Sequence, residues 1–282
     1  MVYQLVYIIH DCDPTLFYFY RDVDDSLALG YELRKYFGDY ELIGVTTVYG
    51  NNSVDKTYET AKLIVKKSGR EIPVYKGAES ANDLGIKNEA VEFMINKAKE
   101  FGEIVILATG PLTNVASAFL LEDQMVDYVK ELIIMGGAIF TKGNVPIVNA
   151  EFNFWKDPKA AKIIIENAKN VVLTPLDITK KVRWGKEIIK LLEEKDDELA
   201  KFLAEGARKW ATFWSILGGF HPHDVISAVY PIRREIYKAE KVRISIDNKG
   251  RVLKEEDGKE VLVLLDLDKE EFLNEFLSAF EK

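Results

Sequence analysis

A single α/β domain with an open, mainly parallel sheet flanked by helices is predicted from three observations. Short apolar runs, rich in β-branched residues, alternate with amphipathic stretches of helical period. The apolar runs are nearly continuous rather than alternating, as in strands covered on both faces. Polar or glycine-rich turns follow five of these runs, around His10 to Asp13, Tyr49 to Asn51, Thr109 to Asn114, Met135 to Gly137 and Asp177. In open parallel sheets, ligands bind at the carboxyl ends of strands.

The elements run in order. "LVYIIH" reads as strand and "DDSLALGYELRKYF" as helix, with acids in its first turn, where the helix dipole favours them. "ELIGVTTV" is strand, and "SVDKTYETAKLIVKKSG" is helix ended by Gly69 as a C-cap. "IPVYKG", "IVILATG", "ELIIMGG" and "NVVLTPLD" continue the strands. "NEAVEFMINKAKEFG", "LTNVASAFLLED" and "DPKAAKIIIENAK" are the helices between them. After about residue 184 the rhythm changes to two successive helices, 185–195 and 197–215, and a shorter one near Asp224. "KVRISID", "RVLKEED" and "EVLVLLDLD" then read as antiparallel strands before a last helix, "KEEFLNEFLSAFEK". No linker separates the two parts, so one domain over 1–282 with a C-terminal helical and hairpin annex is expected.

Composition narrows the function. With 48% hydrophobic and 30% charged residues, the chain has ample material for a core. A net charge of -8 argues against nucleic acid as a partner. Cys12 is the only cysteine, which suits a reducing, cytoplasmic setting, and no apolar run approaches the length of a membrane span.

The stretch "HDCDPTLFYFYRDVDDSLALGYEL" carries Asp11, Asp13, Asp22, Asp24 and Asp25 around the apolar run Leu16 to Tyr20. Capping accounts for Asp24 and Asp25. It does not account for four acids converging on one sheet edge, where carboxylates raise each other's pKa unless a cation compensates. A hard cation with oxygen ligands would do so. Both readings stand on pattern alone. Cys12 between two acids reads as a buried, unreactive thiol. His10 reads as a satisfied strand-end histidine, Asn114 as tying down a helix entry and Asp177 as structural.

The set "DCDP…DD", "TTVYGN", "ATGPLTN", "IIMGG", "GNVPIVNAEFN" and "HDV" resembles, in order, the motifs of the nucleoside hydrolases, the calcium-dependent ribohydrolases of inosine–uridine type. The resemblance runs from about residue 5 to 230. It implies cleavage of the N-glycosidic bond of a ribonucleoside to free base and ribose, for nucleoside salvage, by an enzyme that is a homodimer or homotetramer. It implies calcium (Ca2+) held by Asp13, Asp25, Asp224 and the backbone carbonyl of Thr109, with Asp24 as general base and His223 as proton donor to the leaving base. It places Asp11 behind the ligands and the ribose end of the pocket. Asn51, Asn144, Glu151 and Asn153 fall on the ribose hydroxyls, and Met135 falls near the sugar. Among Trp210, Phe213 and Trp214 it suggests a ring for the base to stack on, with Trp214 the candidate; helical spacing alone makes these core residues.

The chain departs from the family at its first motif. Ten residues separate Asp13 from Asp24, where the family's Asp-x-Asp-Pro-Gly-x-Asp-Asp has three, an insertion of seven. Residues 15–23 are expected to shape access to the base side, to plug the pocket, or to be extra core, and Asp22 could compete for the place of Asp24. "HPHDV" offers His221 as a second donor, and the loop "ESANDLGIKN" lacks a His-Gly element, which leaves purine against pyrimidine preference open. Two rivals remain. A haloacid-dehalogenase-type phosphatase would use Asp11 and Asp13 of "DCDPT" with magnesium. A silent nucleoside-binding homologue would have had its base displaced by the insertion.

Overall fold

The structure, a computed structural model, describes residues 5–18 and 20–281. Phe19 of the aromatic run lies outside them. The elements are β1 (Val6–Cys12), α1 (Asp24–Lys35), β2 (Tyr40–Thr47), α2 (Val54–Ser68), β3 (Val74–Lys76), α3 (Glu89–Phe101), β4 (Ile104–Ala108), α4 (Thr113–Leu121), α5 (Met125–Tyr128) and β5 (Val129–Met135). They continue as α6 (Phe152–Lys156), α7 (Pro158–Asn167), β6 (Val171–Thr174), α8 (Leu176–Thr179), α9 (Lys186–Glu193), α10 (Glu198–Ile216), α11 (His223–Val229), β7 (Tyr237–Ile246), β8 (Val252–Lys254), β9 (Lys259–Leu267) and α12 (Lys269–Ser278).

One nine-stranded sheet runs in the order β3-β2-β1-β4-β5-β6-β9-β7-β8. The pairs from β3 to β6 are parallel, as is β6 with β9, whereas β7 is antiparallel to β9 and β8. The expected C-terminal helices and antiparallel strands are present. These strands are antiparallel to one another, but β9 pairs with β6 and extends the main sheet. The run "NVVLTPLD" is shorter than read. It ends at Thr174, because Pro175 lacks a backbone N–H and opens α8, which puts Asp177 on a helix.

Strand alternation fills both faces. Ile8, Val105 and Leu107 belong to a core shared with α1, α10, α11 and α12, while Ile9, Ile104 and Ile106 belong to one shared with α3, α4 and α7. Strands buried on both sides need continuous apolar sequence, which is what these show. Strand order reverses at the β1–β4 junction. That switch point leaves a crevice outside the carboxyl ends of the strands. Asp11 lies near the end of β1 there, Asp13 just past it, and Thr109 follows β4.

Two tyrosines fix α11 over this edge. Tyr36, at the end of α1, donates to the Ala228 carbonyl at 2.5 Å, and Tyr237 donates to the Ile226 carbonyl at 2.8 Å.

Candidate active site

The crevice holds a cavity of about 160 Å³ lined by Asp22, Asp24, Asp25, Asn51, Thr109, Met135, Asn144, Glu151, Phe152, Asn153, His223 and Asp224. A larger one, about 570 Å³, opens at the amino ends of the strands. Its charged walls are paired, as in Arg234 with Glu131 and Lys241 with Glu260, and it lies at the opposite edge from the acids.

Asp24, Asp25 and Asp224 each bring an oxygen within 4.8 Å of one another. The Asp224 backbone N–H donates to Asp24 Oδ2 at 3.3 Å, which ties the start of α11 to the start of α1. Asp13 joins the group from β1: its N–H donates to Asp25 Oδ1 at 3.2 Å, and its Oδ2 accepts from the Asn51 N–H. Gly50 is required beside it, because a Cβ there would collide with that Asp13 carboxylate. Asp25 also accepts from the Thr109 hydroxyl at 2.8 Å and from Asn51 Nδ2 at 3.2 Å.

Burial, and then neighbouring carboxylates, drive the pKa of Asp13, Asp24 and Asp224 well above the usual range. Burial likewise brings Asp11 to about 6, against the pull of Asn114 and Thr46, which donate to its Oδ1 at 2.8 and 2.7 Å. No lysine or arginine lines the cavity among the described residues. Asp13 Oδ1 is buried with no hydrogen-bond partner. An all-oxygen donor set with this much unbalanced charge suits a hard divalent cation. A second grouping, His10, Cys12 and Asp25, does not fit a metal as well. The Cys12 thiol is pushed far up by burial and points at the Thr46 carbonyl, so it stays protonated.

Around the acids, Asn153 spends both amide hydrogens on the carbonyls of Thr109 (2.7 Å) and Met135 (3.2 Å). Its side-chain oxygen is left for a ligand. Glu151 caps α6, accepting from the N–H groups of Asn153, Phe154 and Gly137, and burial lifts its pKa to about 7. His223 Nδ1 sits 2.6 Å from the Thr179 hydroxyl. Burial, with His221 and Lys180 nearby, lowers its pKa to about 3, so the ring is neutral. His221 is committed to the Val182 carbonyl at 2.6 Å and does not line the cavity.

The structure therefore gathers Asp24, Asp25, Asp224, Thr109, Asn51, Met135, Asn144, Glu151, Asn153 and His223 around one cavity, with Asp11 and Asp13 directly behind. It does not bring Trp214 there. That ring packs on Trp210 and Phe213 along α10, half-buried against the core. Asn114 does more than tie down a helix entry, since it also holds Asp11. Phe152 was missed, although it lies between two singled-out residues in "AEFN". The insertion supplies Asp22 to the cavity, where its Oδ1 accepts from the Val23 N–H at 2.8 Å and burial raises its pKa to about 6.

A buried carboxylate cage facing a cavity at a sheet switch point marks an α/β enzyme with a candidate metal site. Residues 8–274 match the family described as inosine-uridine preferring nucleoside hydrolase, and the chain belongs to that family. It is 29% identical over 274 residues to a probable uridine nucleosidase 1 of Oryza sativa subsp. japonica, covering 86% of this chain and 82% of that one. Among solved structures, a plant nucleoside hydrolase superposes with a TM-score of 0.85 at 25% identity, covering 98% of each chain. A purine-preferring ribonucleoside hydrolase from Gardnerella vaginalis superposes at 0.84 and 26%, covering 97% of this chain and 98% of that one. Hydrolysis of ribonucleosides to base and ribose is the activity this membership supports, and the phosphatase reading is not favoured.

Proposed function

We propose that the cavity hydrolyses the N-glycosidic bond of ribonucleosides with calcium bound among Asp13, Asp25, Asp224 and the Thr109 carbonyl. The observation that carries this reading is the cluster Asp24, Asp25 and Asp224, buried together with no lysine or arginine among the described residues that line the cavity. When bound, such an ion supplies positive charge that offsets the carboxylates and acidifies water at the site. Asp24 takes the proton of the attacking water, its Oδ2 steadied by the Asp224 N–H. Asn51, Asn144, Glu151 and Asn153 hold the ribose hydroxyls, Met135 packs on the sugar, and Asp11 braces this wall through Asn114. Bond breaking builds positive charge on the sugar, as in glycoside hydrolysis, and the carboxylates around it favour that charge. His223 presents its Nε2–H to the leaving base as a hydrogen-bond donor, with Nδ1 accepting from the Thr179 hydroxyl.

A volume of about 160 Å³ is below that of most whole-ligand clefts, ~300–1,000 Å³. It suits the sugar, with the base toward the mouth. The two printed preferences among the relatives, uridine and purine, leave the base open. A cytoplasmic location is supported by a single, buried cysteine, and a homodimer or homotetramer by the family resemblance. Among the described residues no helix is long and apolar enough to cross a membrane.

The test is release of free ribose from a panel of nucleosides, with and without a chelator, beside calorimetry of calcium binding. Activity lost on chelation and restored by calcium is expected, with binding abolished in Asp13→Asn and Asp25→Asn. Parent-like calcium affinity in both variants would refute the cage. Binding without turnover would make the chain a silent homologue.

A further inference from the structure

Two fully buried groups stand behind the cavity and take no part in the scheme above: His10 on β1 and Glu32 on α1. His10 Nδ1 lies 2.9 Å from Glu32 Oε2. Apart from that contact, neither Glu32 oxygen has a hydrogen-bond partner among the described residues. On the ring's far side, Nε2 lies 2.9 Å from Thr109 Oγ1, and that hydroxyl lies 2.8 Å from Asp25 Oδ1. The four groups form one continuous line from the interior of α1 to the carboxylate cage. A fully buried carboxylate is unfavourable unless it is paired, and this one is paired only to the ring that touches Thr109.

Counting hydrogens sets the direction of the line. A threonine hydroxyl has one hydrogen to give. If it is given to Asp25, the oxygen must accept from His10, so Nε2 carries a hydrogen. Glu32 makes this possible: a net-neutral Glu32–His10 pair holds two hydrogens, one between Nδ1 and Oε2 and one on Nε2. That holds whichever of the two atoms keeps the shared hydrogen. Without Glu32, a neutral ring has one hydrogen, free to sit on Nδ1, and the Thr109 hydroxyl can then turn away from Asp25.

We infer that Glu32 and His10 are positioning residues that keep the Thr109 hydroxyl pointed at Asp25 Oδ1 and so fix the Asp25 carboxylate for ion binding. The inference rests on the reading of Asp25 as a calcium ligand. Oδ1 is then held by Thr109 and by the Asp13 N–H, while Oδ2 accepts from Asn51 and keeps a lone pair for the ion.

Two measurements test it. In the metal-free parent, the imidazole ¹⁵N spectrum should show a hydrogen on His10 Nε2; a bare Nε2 overturns the inference whatever the ion does. Calorimetry with calcium alone then reads the consequence. Glu32→Leu takes away the partner that keeps a hydrogen on Nε2, so the ring can accept from Thr109. It should bind calcium ~10–100-fold more weakly, the usual loss when a residue that orients a ligand is removed. Thr109→Val should lose as much, and the two together no more, because both act through one hydrogen bond. Adding His10→Leu to Glu32→Leu removes the competing acceptor and should restore most of the affinity. Glu32→Gln, whose amide can donate to Nδ1 and leave Nε2 a donor, should stay within a few-fold of the parent, as should Thr109→Ser. A folded Glu32→Leu variant with parent-like affinity overturns the inference alone. A parent that takes up no calcium overturns the site reading and this inference with it. If Glu32→Leu does not fold, the spectrum and the Thr109→Val against Thr109→Ser comparison decide.

Discussion

At the scale of single residues, the acids were legible because their chemistry is visible in pattern: carboxylates cluster on a sheet edge only when something holds them there. Asp24, Asp25 and Asp224 could be named together although the last is far away in the chain, because the motif order carried it. Glu32 could not. Its one signal was a lone charge among "LALGY" and flanking apolar residues, and nothing in sequence says that His10 lies across from it. His223 was legible as a residue, but its tie to Thr179 was not. The tie matters for its role. A neutral ring with Nδ1 fixed on Thr179 presents Nε2, and only a poor leaving group needs what it offers. We expect His223→Ala to slow inosine hydrolysis by ~10²-fold or more, the range of general acid catalysis. p-Nitrophenyl riboside, whose leaving group needs no proton, should lose only a few-fold. Equal losses in kcat on both substrates would make the histidine structural.

At the scale of elements, the described residues of the insertion divide into a buried and an exposed part. Leu16 is buried against α10, where a Cβ on Gly206 would collide with it, and Val23 is wholly buried. Phe17 sits edge-on to Phe202 of α10, 5.4 Å between ring centres, yet is 49% exposed, and Tyr20 is 68% exposed. The loop is stitched at its base: the Thr15 hydroxyl donates to the Asp22 carbonyl, and Ser26 Oγ donates to the Thr15 carbonyl at 2.8 Å. Sequence does not divide the buried part from the exposed part, since five consecutive apolar residues have no period. Leu16→Ala should cost ~2–4 kcal/mol in urea unfolding, the range for a buried leucine. Tyr20→Ala should leave stability unchanged and shift KM among nucleosides of different base. A Tyr20 variant with unaltered KM throughout would remove the loop from the base side.

The short helix α8 is a second element with more reach than its length suggests. Asp177 accepts from the N–H groups of Ile139 and Phe140 at 2.8 and 2.7 Å, Lys180 donates to the Lys142 carbonyl at 2.7 Å, and Thr179 holds His223. It therefore fixes the loop bearing Asn144 and the proposed proton donor at once. Asp177→Ala frees two backbone amides at the root of that loop. KM should rise several-fold with kcat changed less, as expected when binding rather than chemistry is weakened. A fall in kcat with KM unmoved would show that α8 acts on the donor instead.

At the scale of the whole molecule, the parallel half was readable because each βα unit declares itself locally, by a run, a turn and a period. The C-terminal strands declared their type but not their place. β9 lies between β6 and β7 in the sheet, a choice made by long-range pairing that no local pattern encodes. What closes the molecule is likewise non-local. Glu275 of α12 accepts from the Tyr31 hydroxyl at 3.1 Å and pairs with Lys35 at 2.9 Å, both near the end of α1. Its other oxygen pairs with Arg233, just past α11, at 3.0 Å. One carboxylate thus joins the last helix to the two helices whose first turns carry Asp24, Asp25 and Asp224. Burial alone would raise its pKa; Lys35, Arg233 and Tyr31 outweigh burial and lower it. The sign follows by linkage. A native pKa below the ordinary 4.5 means the unfolded chain takes the proton first. The stabilisation is therefore full above that value and lost as pH falls through the lowered native one. Glu275→Gln should reduce unfolding free energy by about 1.5–3 kcal/mol at neutral pH, the range for hydrogen bonds to a charged group. The gap from the parent should close as urea melts are repeated down through the carboxylate range. A gap that stays constant with pH would mean that the charge contributes nothing and that only the shape of the side chain holds α12 to α1.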